Sequence, residues 1–384
     1  MTDNSHNLTP QYLFPLLRSA VYAEPLLDGF APEEADWQQI ISFAGFHHLT
    51  HLVEYAAQKN GLRTDGAEKD RAIMQYLRRD LATEQIRAVL NAAGIPFILL
   101  KGAVLQGYYP EAWMRTSSDV DVLVRREDLD AAEAALCAQA GFRRGVVAAH
   151  DIQLISPANA SLELHHILIL PELFPAAAAE LDRVWDTAVP VKEDGYEYRM
   201  EDSLFFLYHI AHMMKHFRNG GCGIRFFLDL RLIEQQPGHD AAACKALAER
   251  CGMLPFTEAA ERLAEAWFGC GSASGLETME QYVLSGGIYG TTRNAVAVQK
   301  EENGSGGYLL QRLFPPMSGM KYEHPILRKQ PWLLPFFWVK RLFRLCRGSV
   351  RKRVLREYKT SRTIKDEHVD TVSAMMKQLF GGEL

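Results

Sequence analysis

The fold is decided by one stretch, Ile95 to Val124, which begins IPFILLKGA (residues 95–103) and ends RTSSDVDVLV (residues 115–124). Its beginning is an apolar run closed by Lys101 and Gly102. Such a run predicts a buried strand that stops at a glycine turn. Its end alternates between polar and apolar residues, which predicts a second strand.

The second strand carries two carboxylates on one face. Asp119 and Asp121 are separated by one residue, so period-two geometry points both the same way, with Cα atoms roughly 6.5–7 Å apart. Two such carboxylates repel each other unless a cation lies between them, and a hard divalent ion, usually Mg²⁺, is the common solution. The alternative is a solvated strand face. The preceding strand, glycine turn, helix and loop, with Arg115 before the pair, favour the metal site.

Motifs in this region resemble those of an uncharacterised bacterial nucleotidyltransferase family within the polymerase-β-type superfamily. The motifs are Leu100-Lys101-Gly102, Tyr108-Tyr109-Pro110, Arg115 and the run from Ser118 to Val124. The resemblance extends from about Trp37 to about Trp338, although only the core motif is specific. It implies an α+β fold, with a small mixed nucleotidyltransferase sheet, flanking helices, and N-terminal and C-terminal helical regions. It also implies two Mg²⁺ ions, with Mn²⁺ as a substitute, and a nucleoside triphosphate such as ATP as co-substrate.

The resemblance implies a third metal-binding carboxylate on a neighbouring strand. Glu163 is the candidate, in the run SLELHHIL at residues 161–168. His165 falls on the same strand face as Glu163 and is a candidate contact for a carboxylate or a phosphate. The alternative for Glu163 is a solvent-facing position on an edge strand, and the alternative for His165 is a structural role.

Phosphate contacts are predicted from several further residues. The superfamily usually has serine after the glycine, whereas this chain has Ala103, so Lys101 is the candidate to take over that contact. The alternatives are a solvent-exposed lysine at Lys101 and a structural pair with a carboxylate at Arg115. The predicted nucleotide-binding residues are Lys101, Gly102, Arg115, Ser118, His165 and Lys215.

The chain has 384 residues, a net charge of −5 and no apolar run as long as a membrane span. We expect four regions: an N-terminal helical region (1–90), the catalytic core (91–200), a helical subdomain (201–300) and a basic, aromatic-rich C-terminal segment (301–384). The six cysteines include no Cys-x-x-Cys pair. This composition and a polar N-terminus without a signal-peptide core predict a cytoplasmic location.

Two features leave alternatives open. Basic and aromatic residues interleave between Leu309 and Tyr358, a pattern found in segments that bind nucleic acid or anionic lipid. A packed amphipathic helix with a solvated basic face is the preferred interpretation. His209, His212 and His216 share one side of a predicted helix, and with Asp229 they suggest a metal phosphohydrolase.

The leading hypothesis is a Mg²⁺-dependent nucleotidyltransferase that transfers NMP to a hydroxyl group on a small molecule, a protein or an RNA. Asp119, Asp121 and Glu163 are its predicted catalytic and metal-binding residues. The rival hypotheses are a non-catalytic nucleotide-binding or scaffold protein of the same fold and the phosphohydrolase.

Overall fold

The computed structural model describes most of the chain. The described residues are 9–27, 29–62, 64–148, 150–288, 290–298, 314–317, 320–321, 324–345, 360, 363–364 and 366–381. They divide into two compact units. The first comprises Met1–Val146, His150–His212 and Ile224–Ser274, and the second comprises Val147–Ala149, Met213–Gly223 and Gly275–Leu384. The finer four-region division stays a prediction.

Helices precede the sheet, as predicted. They are α1 (Phe14–Tyr22), α2 (Glu34–Phe46), α3 (Thr50–Lys59) and α4 (Ala67–Ala92). The sequence predicts an apolar stripe on α4 made of Leu77, Leu81, Ile86, Val89 and Leu90, and this prediction is wrong at Leu77 and Leu81, which are 51% and 55% exposed. In this part of α4 the buried side carries Arg79 and Ala82 instead, because Arg79 donates a hydrogen bond to Arg115 O in the loop before the second strand.

One seven-stranded mixed sheet forms the centre of the first unit, in the order β3-β4-β5-β2-β1-β7-β6. The strands are β1 (Phe97–Leu99), β2 (Asp119–Val124), β3 (Arg143–Val147), β4 (Asp151–Ile155), β5 (Ser161–His165), β6 (Val189–Pro190) and β7 (Glu197–Arg199). Two strand-like runs separated by turn residues, at 151–168 and again at 187–200, predict two hairpins from the sequence, and these are confirmed as β4–β5 and β6–β7. Strand β3 was not predicted, because it is exposed throughout and lacks apolar alternation. With its helices, the sheet confirms the α+β class.

Helices connect and follow the strands. They are α5 (Lys101–Leu105), α6 (Leu129–Ala140), α7 (Pro175–Leu181), α8 (Val184–Thr187), α9 (Asp202–Arg218), α10 (Ile224–Glu234), α11 (Ala241–Arg250) and α12 (Leu254–Phe268). Short 3₁₀ turns cover Gln106–Tyr108, Ala112–Met114 and Arg126–Asp128. The predicted helix after Glu201 is confirmed as α9, which contributes to both units.

One face of the sheet is apolar, and this burial fixes the orientation of β2. Val120, Val122 and Val124 lie in a buried core together with Leu162 and Leu164 of β5. Helices α4 and α6 pack beside this core. Because side chains alternate along a strand, burying these residues turns Asp119, Asp121, Glu163 and His165 to the opposite face.

The second unit contains α13 (Glu277–Gly286), a helix at 292–298, α14 (Leu334–Leu345) and α15 (Asp366–Phe380). Helix α14 exposes Phe336 and Phe343 and buries Phe337 against Met320 and Leu327. Much of the predicted basic segment, including Arg347 and Arg351 to Arg356, lies outside the described residues, so its packing stays a prediction. Among the described residues, none of the helices combines the length and apolarity needed to span a bilayer.

Candidate active site

The parallel pairing of β2 with β5 brings two predicted carboxylates together. Asp121 is the register partner of Glu163, and Asp119 is the partner of Ser161. Asp121 is 2% exposed, whereas the side chain of Glu163 keeps 31% of its surface exposed. The group therefore extends from a buried aspartate to a glutamate that a ligand can reach from solvent.

His165 joins these two acids. Its Nε2 lies 2.9 Å from Oδ1 of Asp121 and 3.4 Å from Oε2 of Glu163. Burial would lower the pKa of His165, but the hydrogen bonds to the two carboxylates outweigh burial and raise it. The prediction that His165 shares the Glu163 face and contacts a carboxylate is confirmed.

Lys101 lies beside Asp121, because Leu100 N donates to Asp121 O and extends the β1–β2 ladder by one residue. The next residue, Lys101, opens α5 with a φ of 41° and places Nζ 2.6 Å from Asp121 Oδ1. The buried Tyr208 of α9 also interacts electrostatically with Lys101. Lys101 is mostly buried, so the alternative of a solvent-exposed lysine is wrong.

Lys101 and Asp121 each stabilise the charged form of the other. Burial would raise the pKa of Asp121, but Lys101 and His165 hold it well below its usual range. Burial would lower the pKa of Lys101, but the charge of Asp121 raises it. Asp121 is therefore a firmly ionised carboxylate at the bottom of the site.

Asp119 is held by a serine that the sequence did not single out. Ser117 Oγ donates to Asp119 Oδ1 over 2.8 Å. Burial, followed by the charges of Asp121 and Glu163, raises the pKa of Asp119. The charges of Asp121 and Glu163 thus act on Asp119, but the ligand atoms that lie within 4.8 Å of one another belong to Asp121, Glu163 and His165 and not to Asp119. The role of Asp119 as a metal ligand stays a prediction.

Ser117 also lies against Gly102. A Cβ placed on Gly102 would come within 3.0 Å of Ser117 Cβ and 3.1 Å of Ser117 Oγ. Ser117 therefore occupies the space beside Gly102, and the role of Gly102 in nucleotide binding stays a prediction. A hydroxyl is present next to this glycine although residue 103 is alanine, because a different segment supplies it.

Side chains bind the carbonyl oxygens of four consecutive loop residues just before β2. His51 Nε2 binds Met114 O over 2.8 Å, and Arg79 Nη1 donates to Arg115 O over 3.4 Å. Arg225 Nη1 donates to Thr116 O over 2.9 Å, and Gln75 Nε2 donates to Ser117 O over 2.6 Å. Donors from α3, α4 and α10 thereby fix the segment that carries Ser117 and leads into Asp119.

Arg115 forms a buried ion pair. Its Nε donates to both oxygens of Asp229, over 2.7 and 2.9 Å, and Tyr109 Oη donates to Asp229 Oδ1 over 2.8 Å. The structural pair considered as an alternative is the geometry observed. Asp229 is thus bound to an arginine and a tyrosine in the first unit.

The remaining predicted residues are placed as follows. Ser118 is exposed, one residue after the serine that contacts Asp119. Lys215 lies on the part of α9 that belongs to the second unit, and its phosphate role stays a prediction. His209 is buried with Nε2 3.0 Å from Phe226 O, which gives this histidine a structural partner.

The donor set at the site fits a hard divalent cation. Asp121, Glu163 and His165 each offer a ligand atom, and these atoms lie within 4.8 Å of one another. Asp119 adds a carboxylate two residues along the strand, and oxygen ligands are what Mg²⁺ prefers. Among the described residues, two groups of this kind occur, and neither contains His209, His212 or His216.

The comparisons with known proteins agree with this geometry. A family model described as an uncharacterised nucleotidyltransferase matches residues 33–269, which include the whole sheet and all the side chains of the site. The class that the fold and site define is therefore that of the nucleotidyltransferases. This chain belongs to the uncharacterised nucleotidyltransferase family, because the match covers more than half of its length. Neither the curated proteins nor the solved structures gave a match.

Proposed function

We propose that this chain transfers a nucleoside monophosphate from a nucleoside triphosphate to a hydroxyl group of an acceptor, with Mg²⁺ as the metal and Mn²⁺ as a substitute. The single observation that carries the proposal is the register pair Asp121–Glu163, with Asp119 on the same face. Two adjacent parallel strands carry the three carboxylates on one face of the sheet, and the side chain of Glu163 is 31% exposed.

The charge of this site supports a bound cation. Three carboxylates lie close enough to raise the pKa of Asp119, while Lys101 and His165 offset part of their charge. The remaining negative charge would repel a triphosphate unless a divalent cation accompanied it. A metal–nucleotide complex satisfies both the acids and the phosphates.

Asp119, Asp121 and Glu163 would hold the metal. When bound, Mg²⁺ supplies a lowered pKa for the acceptor hydroxyl and charge stabilisation for the departing pyrophosphate. Glu163 is the more exposed of the two register-paired acids, so it is the candidate to receive the hydroxyl proton of an acceptor that approaches from solvent. Asp121 is already ionised before the nucleotide binds, because Lys101 and His165 lower its pKa.

Lys101 has a second role in this proposal. A cation arriving at Asp121 would meet the Lys101 ammonium, which already occupies one lone pair of Oδ1. Like charges repel, so Lys101 would turn from the carboxylate towards a phosphate oxygen as the nucleotide binds. Ser117, next to Gly102, is the candidate for the hydroxyl contact that Ala103 lacks.

The experiment is incubation with each labelled nucleoside triphosphate and Mg²⁺, with pyrophosphate release and the destination of the label as readouts. Asp119→Asn, Asp121→Asn and Glu163→Gln should each slow release by about 10³-fold, since a lost metal ligand removes several kcal/mol of charge stabilisation. Asp130→Asn, an exposed acid on α6, is the matched control and should retain the wild-type rate. Undiminished turnover in Asp121→Asn would overturn the proposal.

A non-catalytic nucleotide-binding role is the second candidate, and the Lys101–Asp121 pair favours it. An ammonium fixed on Asp121 would leave the strongest ligand of the site unavailable to a metal. The same assay separates the two roles. Tight binding of Mg²⁺–nucleotide without pyrophosphate release, for every acceptor class tested, supports the non-catalytic role.

A further inference from the structure

A second group of metal-ligating side chains lies on the other side of His165, at the start of β4. Asp151 is the register partner of His165 across the antiparallel β4–β5 pair. His150 Nε2 lies 3.0 Å from Asp151 Oδ2, and the rings of His150 and His165 are 5.7 Å apart between centroids. One ligand atom from each of the three residues lies within 4.8 Å of the others.

His165 has two ring nitrogens, and the acids engage only one of them. Its Nε2 faces Asp121 and Glu163 at hydrogen-bond distance, so in the neutral ring this nitrogen carries the proton. Within the described residues, Nδ1 of His165 has no hydrogen-bond partner, although His165 is 98% buried. A histidine that donates one N–H to a carboxylate and keeps the other nitrogen free has the usual arrangement of a metal ligand.

We propose that His150, Asp151 and His165 form a site for a borderline divalent metal such as Zn²⁺ or Co²⁺, distinct from the site of the three acids. Two imidazoles and one carboxylate are the ligand set that Zn²⁺ prefers and Mg²⁺ does not. Asp151 is buried, while the His150 side chain keeps part of its surface exposed. The metal can therefore enter past His150 and keep a fourth position for water or a ligand.

This site does not depend on the proposed nucleotidyl transfer. It uses His165 through Nδ1, whereas the acids are tied to Nε2. The two sites should therefore have opposite metal preferences on the same chain. Saturating Mg²⁺ should leave the borderline metal in place, because Mg²⁺ binds nitrogen ligands poorly.

Titration of the metal-free full-length protein with Co²⁺, followed by visible d–d absorption, tests the proposal. The wild-type protein should bind one Co²⁺ with a tetrahedral-type spectrum, and Zn²⁺ should bleach it. His150→Ala and Asp151→Asn should each weaken binding by more than the roughly 10–100-fold that the loss of a residue hydrogen-bonded to a ligand causes, because each removes a ligand itself. Asp119→Asn, which alters only the acid site, and His166→Ala, which removes the neighbouring histidine, should leave the titration unchanged.

Several results would overturn the proposal. They are a wild-type protein without the Co²⁺ band, a band that saturating Mg²⁺ displaces, and a band that persists unchanged in both His150→Ala and Asp151→Asn. The wild-type measurements decide the matter even if a variant fails to fold, and thermal melts in EDTA identify such a variant. A band lost in His166→Ala to the same degree as in His150→Ala would also contradict the assignment.

Discussion

The ammonium of Lys101 lies 2.6 Å from Oδ1 of Asp121, and this contact joins the end of β1 to the most deeply buried acid of the site. Lys101→Met should destabilise the metal-free protein by about 2 kcal/mol, because a buried carboxylate loses its charged partner. Mg²⁺ should then raise the melting temperature of the variant more than that of the wild type. Differential scanning calorimetry with and without Mg²⁺ measures both effects.

The exposed Lys59 provides the control for this experiment. Lys59→Met should change neither the melting temperature nor its response to Mg²⁺. A Lys101→Met protein as stable as the wild type in EDTA would contradict the importance of the contact.

Gly102→Ala should disturb Asp119 through Ser117. The new methyl group would come within 3.0 Å of Ser117 Cβ, so Ser117 must move and its 2.8 Å hydrogen bond to Asp119 should break. We expect a loss of about 1 kcal/mol of stability for the broken hydrogen bond, and a fall of about tenfold in pyrophosphate release as Asp119 loses its orientation. Denaturant unfolding and the release assay measure the two effects.

Gly107→Ala is the matched control, because a Cβ there meets nothing within 4 Å among the described residues. It should be neutral or slightly stabilising in a helical turn. Equal losses in the two variants would show that the contact with Ser117 is not the cause.

The Arg115–Asp229 pair should be strongly cooperative. Asp229→Leu leaves the buried guanidinium without its counter-charge, and we expect a loss of about 3–5 kcal/mol in the free energy of unfolding. The double variant Arg115→Met/Asp229→Leu should lose less free energy of unfolding than the sum of the losses in the two single variants. Urea unfolding of the four proteins of the cycle gives the coupling energy.

The exposed pair Arg183–Asp186 calibrates that cycle, since both side chains are about two-thirds exposed. Asp186→Asn should lower the free energy of unfolding by no more than about 0.5 kcal/mol. Strict additivity of the Arg115 and Asp229 substitutions would contradict a coupled buried pair.

Stability should fall as pH rises through the range in which Glu261 ionises. Burial, followed by the charges of Glu234 and Glu258, raises the pKa of Glu261 to about 7 in the folded protein, from 4.5. Folding therefore retains a proton that the unfolded chain has lost. The stabilising effect of that proton is complete below pH 4.5 and lost above about pH 7.

Glu261→Gln should therefore be more stable than the wild type at pH 8 and should lose this advantage at pH 5. We expect a gain of about 1 kcal/mol in the free energy of unfolding at pH 8, after allowing for the solvent screening of this half-buried group. Melting curves across this pH range for the wild type, Glu261→Gln and the exposed control Glu249→Gln test the prediction. A pH dependence that is the same in all three proteins would contradict it.

Local pattern was sufficient for the elements that carry the acids. Alternation in residues 119–124 and 161–165 predicted two strands and placed Asp119, Asp121, Glu163 and His165 on polar faces. The start signal at residues 201–203 predicted α9. The same reasoning failed for β3, because an exposed edge strand needs no alternation of apolar residues. It also failed for Leu77 and Leu81, because the side of α4 that carries Arg79 is buried in their place.

The sequence by itself determined the two strands that carry the acids, the face on which each acid stands and the family, because period-two alternation and short motifs are local properties. Only the tertiary structure decided that Asp121 meets Glu163 in register, that Lys101 and His165 share one carboxylate oxygen, and that Arg115 pairs with Asp229. Parallel strands pair only after a crossover, and side chains from α3, α4 and α10 bind the loop before β2 from distant parts of the chain. Such long-range contacts are set by the packing of the whole unit, which no local pattern encodes.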